Sequence, residues 1–170
     1  MFGSKKPSKK PLWSIRVLTL DYLIDGLIDS DSADMLLTDD GVFENIQLTS
    51  AQFQPASNLI IPATLPTAWV TTFREAVVAI IPSDEASVSY ALETNDFEDP
   101  VLAEVYAGSY LIRGLVMTEV KELKIYTETE MIIVKDVQID SLLSGAKLKG
   151  FRAPIAFLAC AHIQVVHQIA

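Results

Sequence analysis

Short segments in which apolar and polar residues alternate recur along the chain. Residues 22–28 read YLIDGLI, the segment from Ile46 to Phe53 alternates cleanly, and the segment from Ile133 to Ile139 alternates in part. A period of two places successive side chains on opposite faces of a β-strand. The pattern therefore predicts a mainly β protein.

One of these segments occurs twice. Ile15–Leu27 aligns without a gap with Ala103–Leu115, and the identical positions are Val17/Val105, Tyr22/Tyr110, Leu23/Leu111, Ile24/Ile112, Gly26/Gly114 and Leu27/Leu115. Near the end of each half, residues 76–81 align with residues 161–166 if three residues are lost from an intervening loop. The order of the matching blocks is preserved, which predicts a tandem duplication of a unit of roughly 70 residues.

The duplication divides the chain into three regions. We expect a disordered basic leader at residues 1–12, a first small β unit at residues 13–93 and a second at residues 94–170. The acidic stretch 83–100 contains the predicted junction between the two units.

The repeated residues indicate what the repeated segment does. On a strand, Tyr22, Ile24 and Gly26 share one face, and Tyr110, Ile112 and Gly114 share the equivalent face. Charge occurs only on the opposite face, so the repeated face is the predicted core face. A glycine in the middle of such a strand indicates a sharp bend or a close backbone approach. Small barrels need bent strands, which favours two tandem barrel- or sandwich-like units.

The end of each unit has two interpretations. In residues 68–81, apolar side chains fit a helical period of 3.6 as well as an extended pattern. The aligned segment 153–167 has Pro154 near its start and β-branched residues near its end, which favours a strand, a turn and a second strand. The alternative is one short helix in each unit.

The motif layout resembles a bacterial family of small, uncharacterised β domains. The layout is V-x-T-x-x-Y-x-I-x-G near the start of a unit, then an L-T-x-A strand and a final apolar hairpin. In the first unit, the residues that carry it are Val17, Thr19, Tyr22, Ile24, Gly26, Leu48, Thr49 and Ala51. The second unit keeps Val105, Tyr110, Ile112 and Gly114 but has Ala107 in place of the threonine. The resemblance implies an Sm-like or SH3-like barrel and no particular activity.

Charge narrows the classes of partner. The chain has 170 residues and a net charge of −9, although the leader contributes Lys5, Lys6, Lys9 and Lys10. The acidic remainder repels phosphate backbones, so it is not expected to bind nucleic acid. The leader is interpreted as a solvated tail, and the alternative is an electrostatic tether to an anionic membrane or RNA. We expect a cytoplasmic protein without a membrane span, because no apolar run approaches the required length and no export signal is evident.

Few residues suggest chemistry. Cysteine occurs once, at Cys160, which excludes an internal disulfide, and Cys160 and His162 would share one face of a strand as candidate zinc ligands. Asp29, Asp31 and Asp34 form an acidic segment that does not fit an EF-hand, so its calcium interpretation is an irregular site. Buried core or surface roles are the favoured interpretation of both groups, and no metal or cofactor is predicted.

Other conspicuous side chains are also given structural roles. Glu128, Glu130, Asp136 and Asp140 have strand spacing but are interpreted as surface charges rather than an acid–base pair. Trp13 and Trp69 are predicted to be core or lid residues rather than a binding platform.

These observations predict a non-catalytic interaction, scaffolding or regulatory protein with an unidentified protein partner. Association through strand edges into a homodimer is part of that prediction. One alternative is a metal-dependent binder or enzyme that uses the cleft between the two units. The other is a membrane- or RNA-tethered adaptor that acts through the lysine-rich leader.

Overall fold

The computed structural model describes residues 10–38, 43–57, 67–95, 100–116 and 130–169. Within these ranges, ten strands form one antiparallel sheet, with two short helices and two 3₁₀ turns. The elements are β1 (Leu12–Thr19), β2 (Tyr22–Asp29), α1 (Ser30–Leu36), β3 (Asn45–Pro55), β4 (Thr67–Phe73), the first 3₁₀ turn (Arg74–Ala76), β5 (Val77–Pro82), α2 (Glu85–Thr94), β6 (Val101–Ala107), β7 (Tyr110–Val116), β8 (Met131–Ser141), β9 (Phe151–Ala159), the second 3₁₀ turn (Cys160–His162) and β10 (Ile163–Gln168). The predicted mainly β class is confirmed.

The sheet is open, and its strand order is β10-β6-β7-β8-β9-β5-β1-β2-β3-β4. It contains a first run, β1–β5, and a second run, β6–β10, which meet where β5 pairs with β9. The described strands do not close into separate barrels, because this pairing continues the hydrogen bonding of one run into the other. The outermost strands are β4 at one end and β10 at the other.

The two runs have the same strand order and matching irregularities. The β2–β3 register shifts between Asp25 and Leu27, and the β7–β8 register shifts between Arg113 and Leu115. On the facing strands, Ser50 in β3 and Asp136 in β8 have φ angles of 53° and 51°. Each occupies the sixth position of a strand of 11 residues. A bulge that bends the strand therefore occurs at the same place in both runs.

The same comparison corrects part of the sequence alignment. Val77 lies opposite Thr19, and Ile163 lies opposite Ala107 in the second run. Val77 therefore corresponds to Ile163, whereas the alignment of 76–81 with 161–166 placed it over His162. By this equivalence, the second run is two residues shorter than the first in an intervening loop, whereas the sequence alignment required three. Sequence similarity alone did not resolve this difference.

The repeated glycines lie at these bulges on the predicted core face. Ile24 and Ile112 beside them are buried, as is Tyr110. A Cβ added to Gly26 would come within 2.7 Å of the Cβ of Leu48, and one added to Gly114 within 2.5 Å of the Lys135 carbonyl oxygen. Both positions thus require glycine because another strand approaches too closely, as predicted for a bent core strand.

The core has two apolar clusters, one on each face of the central strands. The first cluster includes Ile15, Ile80 and Phe157, and α1 and α2 cover it with Ala33, Leu36 and Ala91. The second cluster includes Leu18, Ile112 and Leu158. Within β5, Ile80 belongs to the first cluster and Ile81 to the second, so this strand is covered on both faces. Near-continuous apolar sequence in β5 follows from that double burial.

The end of each run contains a strand, a 3₁₀ turn and a second strand, as the favoured interpretation of segments 68–81 and 153–167 predicted. These strands are not hairpins, because β4 pairs with β3 whereas β5 pairs with β1 and β9. The helices also differ from the alternative of one per unit: α1 follows β2, and α2 follows β5 at the predicted junction.

A buried hydrogen bond connects the two runs away from the β5–β9 pairing. The Tyr110 hydroxyl donates to the Thr19 carbonyl oxygen at 2.7 Å. Burial raises the pKa of Tyr110 well above its usual value, so the hydroxyl stays protonated and can donate.

Candidate functional site: the two outer strands

The outer strands β4 and β10 are each paired on one side only among the described residues. β4 pairs with β3 from Asn45↔Phe73 to Ala51↔Thr67. β10 pairs with β6 from Ile163↔Ala107 to Gln168↔Ala103. The second edge of each strand presents backbone donors and acceptors to which another strand can add.

The outer strand β4 exposes large aromatic side chains. Trp69 is 67% exposed and Phe73 is 63% exposed. They are four residues apart on a strand and therefore lie on the same face. The prediction that Trp69 is a core or lid residue was wrong, because β4 lies at the end of the sheet. For Trp13 the prediction is confirmed, since it packs on Tyr90 with ring centroids 4.9 Å apart against the first cluster.

The outer strand β10 is exposed as well. Val165 is 53% exposed, and His167 lies 3.9 Å from a Glu104 oxygen with most of its side chain in solvent. The sequences of β4 and β10, TAWVTTF and IQVVHQ, contain no lysine, arginine, aspartate or glutamate. Natural edge strands are commonly protected by charges, proline or an inward-pointing ionic group. These two strands lack those residues and are suited to association.

The two 3₁₀ turns lie side by side at one end of the β5–β9 pairing. The Nε2 atom of His162 is 2.9 Å from the Glu75 carbonyl oxygen, and the Cys160 amide donates to the Glu130 carbonyl oxygen at 3.0 Å. Arg74 forms an ion pair with Glu130. Glu130, predicted to be a surface charge, therefore connects the first 3₁₀ turn to the start of β8.

The structure places the candidate zinc ligands in a turn rather than on one strand face. Cys160 is half-buried, and Cys160 and His162 are the first and last residues of the second 3₁₀ turn. Over the described part of the chain, no group of three or more histidine, cysteine, aspartate or glutamate side chains is arranged to hold a metal ion. Within the described ranges, the geometry brings no third ligand to Cys160 and His162.

The acidic segment, interpreted from sequence as a surface feature, forms the start of α1. Asp29 is the N-cap of α1: its Oδ1 accepts from the Ser32 amide at 3.1 Å and its Oδ2 from the Ser32 hydroxyl at 2.7 Å. These hydrogen bonds lower the pKa of Asp29 below its usual value. Asp31 forms an ion pair with Lys10, and Asp34 is exposed. The candidate calcium ligands are therefore distributed over a helix start. Asp39 and Asp40, the next acidic residues in the sequence, lie outside the described residues.

The remaining predicted positions have structural surroundings or fall outside the described ranges. Lys10 is the described member of the lysine tether; Lys5, Lys6 and Lys9 are not among the described residues, nor is Glu128. Asp140 accepts from the Gly150 amide at 2.6 Å and from Gln138 at 3.0 Å. The hydrogen bond from Gln138, followed by that from Gly150, lowers the pKa of Asp140. Asp140 thus stabilises the turn before β9.

The two runs also form a depression between them, where the enzyme alternative places its cleft. It has a volume of about 280 Å³ and is lined by Leu23, Phe53, Gln54, Pro55, Ala56, Lys147 and Leu148. Among the residues that the structure describes, this lining has no carboxylate, cysteine or histidine.

Comparison with protein-family models, curated proteins and solved structures found no match to this chain. No helix in the described part of the chain is both long and apolar enough to cross a membrane. The outer strands are therefore identified as the candidate site from their geometry and composition alone.

Sequence reasoning missed Trp69, Phe73 and Val165 as surface residues. Two signals pointed to them: each segment follows or precedes a turn at the end of a unit, and each lacks charge. The missing information was the strand order of the sheet. It decides which of the four strands at the ends of the two runs, β4, β5, β9 and β10, have neighbours on both sides.

Proposed function

We propose that this protein is a non-catalytic interaction and scaffolding module that associates with protein through its outer strands β4 and β10. The observation that carries the proposal is the presence of two charge-free strands whose second backbone edge is unpaired among the described residues. One of them, β4, exposes Trp69 and Phe73. Addition of a strand to such an edge supplies main-chain hydrogen bonds, while side-chain contacts supply specificity.

We also propose that the two runs derive from one duplicated small β unit. Support comes from the shared strand order, the shared bulges and the paired glycines Gly26 and Gly114. On this proposal, the two units pair with each other once, through β5 and β9. Among the described strands, the equivalent edges of β10 and β4 are left unpaired. A scaffold assembled from repeated units has this property.

The proposal is tested by photo-cross-linking in cells that naturally contain the protein. A photoreactive phenylalanine analogue is introduced at position 69 of β4 or position 165 of β10. We expect covalent adducts of increased mass, whose cross-linked peptides contain these positions, because both side chains are exposed on the strands to which a partner strand would add. Matched controls carry the analogue at Met35 or Leu142, which are 61% and 55% exposed but lie outside the edge strands.

Adducts at the control positions and none at positions 69 or 165 would contradict the role of the edges. The metal-dependent alternative has a separate signature: stoichiometric metal in the purified protein that is lost on Cys160→Ala and His162→Ala substitution. That result, with unreactive edges, would replace the scaffold function with a metal-dependent one.

A further inference from the structure

The β5–β9 pairing shows how a late strand of one run meets the neighbouring run. Ala79 lies opposite Leu158, and Ile80 lies opposite Phe157. The pairing is antiparallel and is covered by apolar side chains on both faces, since β5 and this part of β9 are buried. It is an internal example of an edge-to-edge contact that this fold accommodates.

Each outer strand corresponds to one member of that pairing. β10 pairs with β6 through Ile163↔Ala107 and Val165↔Tyr106, with a register shift between them. β5 pairs with β1 through Val77↔Thr19 and Ala79↔Leu18, with a shift at the same place. β10 therefore holds in the second run the position that β5 holds in the first.

β4 corresponds to β9 by the same reasoning. β4 pairs with β3 and ends at Phe73 before the first 3₁₀ turn, while β9 pairs with β8 and ends at Ala159 before the second. Each turn has three residues and leads into the last strand of its run. Among the described strands, the sheet thus has an unpaired β5-like edge at one end and an unpaired β9-like edge at the other.

We propose that β10 of one copy pairs with β4 of a second copy of this chain, in the register of the β5–β9 pairing. This inference rests on the proposed function and names the partner of the same strands. Transfer of the register places Val165 opposite Thr72 and Val166 opposite Thr71 of the next copy. The contact is head-to-tail, so its repetition gives a closed ring or an open filament rather than a two-fold dimer.

A second copy is the occupant that these edges fit, because the chain already contains the equivalent edge-to-edge pairing once, between β5 and β9. Charge favours the same arrangement over the pairing of β4 with β4. Residues 13–93 contain 2 basic and 12 acidic side chains, and residues 94–170 contain 7 basic and 10 acidic. Pairing β4 with β4 would bring together two strongly acidic runs, whereas β10 with β4 joins an acidic run to a less acidic one.

The register is tested by disulfide cross-linking of the full chain in a Cys160→Ala background. The variant with Thr71→Cys and Val166→Cys is expected to form covalent oligomers under mild oxidation, with a peptide that links positions 71 and 166. The neighbouring pair, Thr72→Cys with Val165→Cys, is tested as well. Hydrogen-bonded and non-hydrogen-bonded residue pairs alternate along antiparallel strands and differ in Cα separation, so the two cysteine pairs differ in how well they suit a disulfide. Each single-cysteine variant is a control that can link only like edges.

Three cross-linking results overturn the proposal. Cross-linking in single-cysteine variants at the same rate as in the paired variants would indicate pairing of like edges. A 71–166 link confined to a single chain would indicate that the sheet closes on itself. Absence of covalent oligomers in both paired variants would exclude the proposed register.

The head-to-tail direction of the contact is tested independently by mixing two variants, each with one outer strand blocked. The readout is the molar mass measured by light scattering. Trp69→Lys/Phe73→Lys blocks β4, and Val165→Lys/His167→Lys blocks β10 by placing charge on exposed positions. We expect wild-type protein above the chain mass of 18.7 kDa, each blocked variant at that mass, and a complex of two chains when the variants are mixed. Leu142→Lys, outside the edges, should keep the wild-type mass.

The mixing experiment separates failure of this inference from failure of the proposed function. A β10-blocked variant that dimerises by itself would show β4–β4 pairing and overturn the head-to-tail direction. Wild-type protein that stays monomeric up to high concentration would also overturn it. If cellular cross-links at position 69 or 165 persist in that case, the edges still serve another protein, and the scaffold function stands without self-assembly.

Discussion

Equivalent strands of the two runs have very different surroundings. β5 and β10 end their respective runs, yet all six residues of β5 are buried, whereas Val165 of β10 is 53% exposed. β9 and β4 precede the two 3₁₀ turns, yet Phe157 of β9 is buried and Trp69 of β4 is not. The sequence of each strand therefore reflects its place in the sheet rather than its place in the repeat.

The difference shows how one fold can produce both a covered strand pairing and an exposed sheet edge. At the centre, the pairing of β5 with β9 is continuous with apolar packing on both faces. At the ends, β4 and β10 keep the backbone geometry but have mixed polar and apolar side chains without charge. A pairing made of such strands can form and separate, since less apolar area depends on it.

The two runs also differ in a pair of charges, and here the difference is compensated. Arg16 of β1 pairs with Asp25 of β2 at 2.5 Å, whereas Glu104 of β6 pairs with Arg113 of β7 at 2.7 Å. The cross-strand ion pair is kept with its polarity reversed. The change from Asp25 to Arg113 is therefore explained by preservation of a local ion pair.

The largest expected effect comes from removing an apolar side chain at the β5–β9 pairing. Phe157→Ala should lower the free energy of unfolding by about 3–5 kcal/mol, because it leaves a cavity in the first cluster. Its equivalent in β4, Thr71→Ala, should cost less than about 1 kcal/mol at a half-covered edge. Denaturant unfolding at low protein concentration measures both. Similar losses would show that β4 is as deeply packed as β9 and would remove the contrast between centre and edge.

The paired glycines test whether both bulges are equally constrained. Gly114→Ala and Gly26→Ala should each lower the free energy of unfolding by about 1–3 kcal/mol, since either Cβ would overlap a facing strand. Gly114→Ala should cost more, because its closest contact at 2.5 Å is a backbone oxygen, whereas that of Gly26 is a side-chain carbon at 2.7 Å. Thermal unfolding of the two variants provides the measurement. A neutral Gly114→Ala would mean that β8 can move away at this position.

Helix α2 covers the first cluster, and its N-cap provides a smaller test. The Asp84 carboxylate accepts from the Ser87 amide at 2.7 Å and also from the Ser14 amide of β1. Asp84→Ala should lower the free energy of unfolding by about 0.5–2 kcal/mol at neutral pH. An equal loss from Asp31→Ala, an exposed residue of α1, would argue against a specific role for this cap.

The effect of Asp84 should depend on pH. Burial raises the pKa of Asp84, but the hydrogen bonds from Ser87 and Ser14 outweigh it and hold the pKa below the usual 3.8. The ionised group therefore stabilises the fold above the pKa of the unfolded chain, and that stabilisation is lost as the pH falls through the lower folded pKa. Unfolding curves at pH 7 and pH 3 should show the difference between wild type and Asp84→Ala shrinking in acid. A difference that grows in acid would mean that the folded pKa is raised.

The smallest effect is expected for the reversed ion pairs. Arg16→Glu or Asp25→Arg alone should cost up to about 1 kcal/mol, and the double variant should regain most of the loss by adopting the polarity of the second run. Recovery should be incomplete, because the Arg16 guanidinium also lies 5.3 Å from the centre of the Phe151 ring. A double-mutant cycle of unfolding free energies measures the coupling. Additive losses would show that polarity at this position is fixed by surroundings other than the partner.

The sequence by itself determined the strand class, the repeated face and the need for glycine at its centre. Alternation identified Ile24 and Ile112 as core residues, because a half-buried strand has a period of two. Gly26 and Gly114 indicated a close approach, because a side chain there would occupy the space of a facing strand. These features are local, and each is encoded within a few neighbouring residues.

Only the tertiary structure decided which strands are central and which are outermost. Trp69 and Ile155 occupy equivalent positions in similar strands, yet one is exposed and the other buried, because β9 has β5 beside it and β4 ends the sheet. The acidic segment at Asp29 became a helix start for a related reason: α1 contributes Ala33 and Leu36 to the first cluster. Strand order and packing are long-range contacts, so the pattern of any single segment does not determine them.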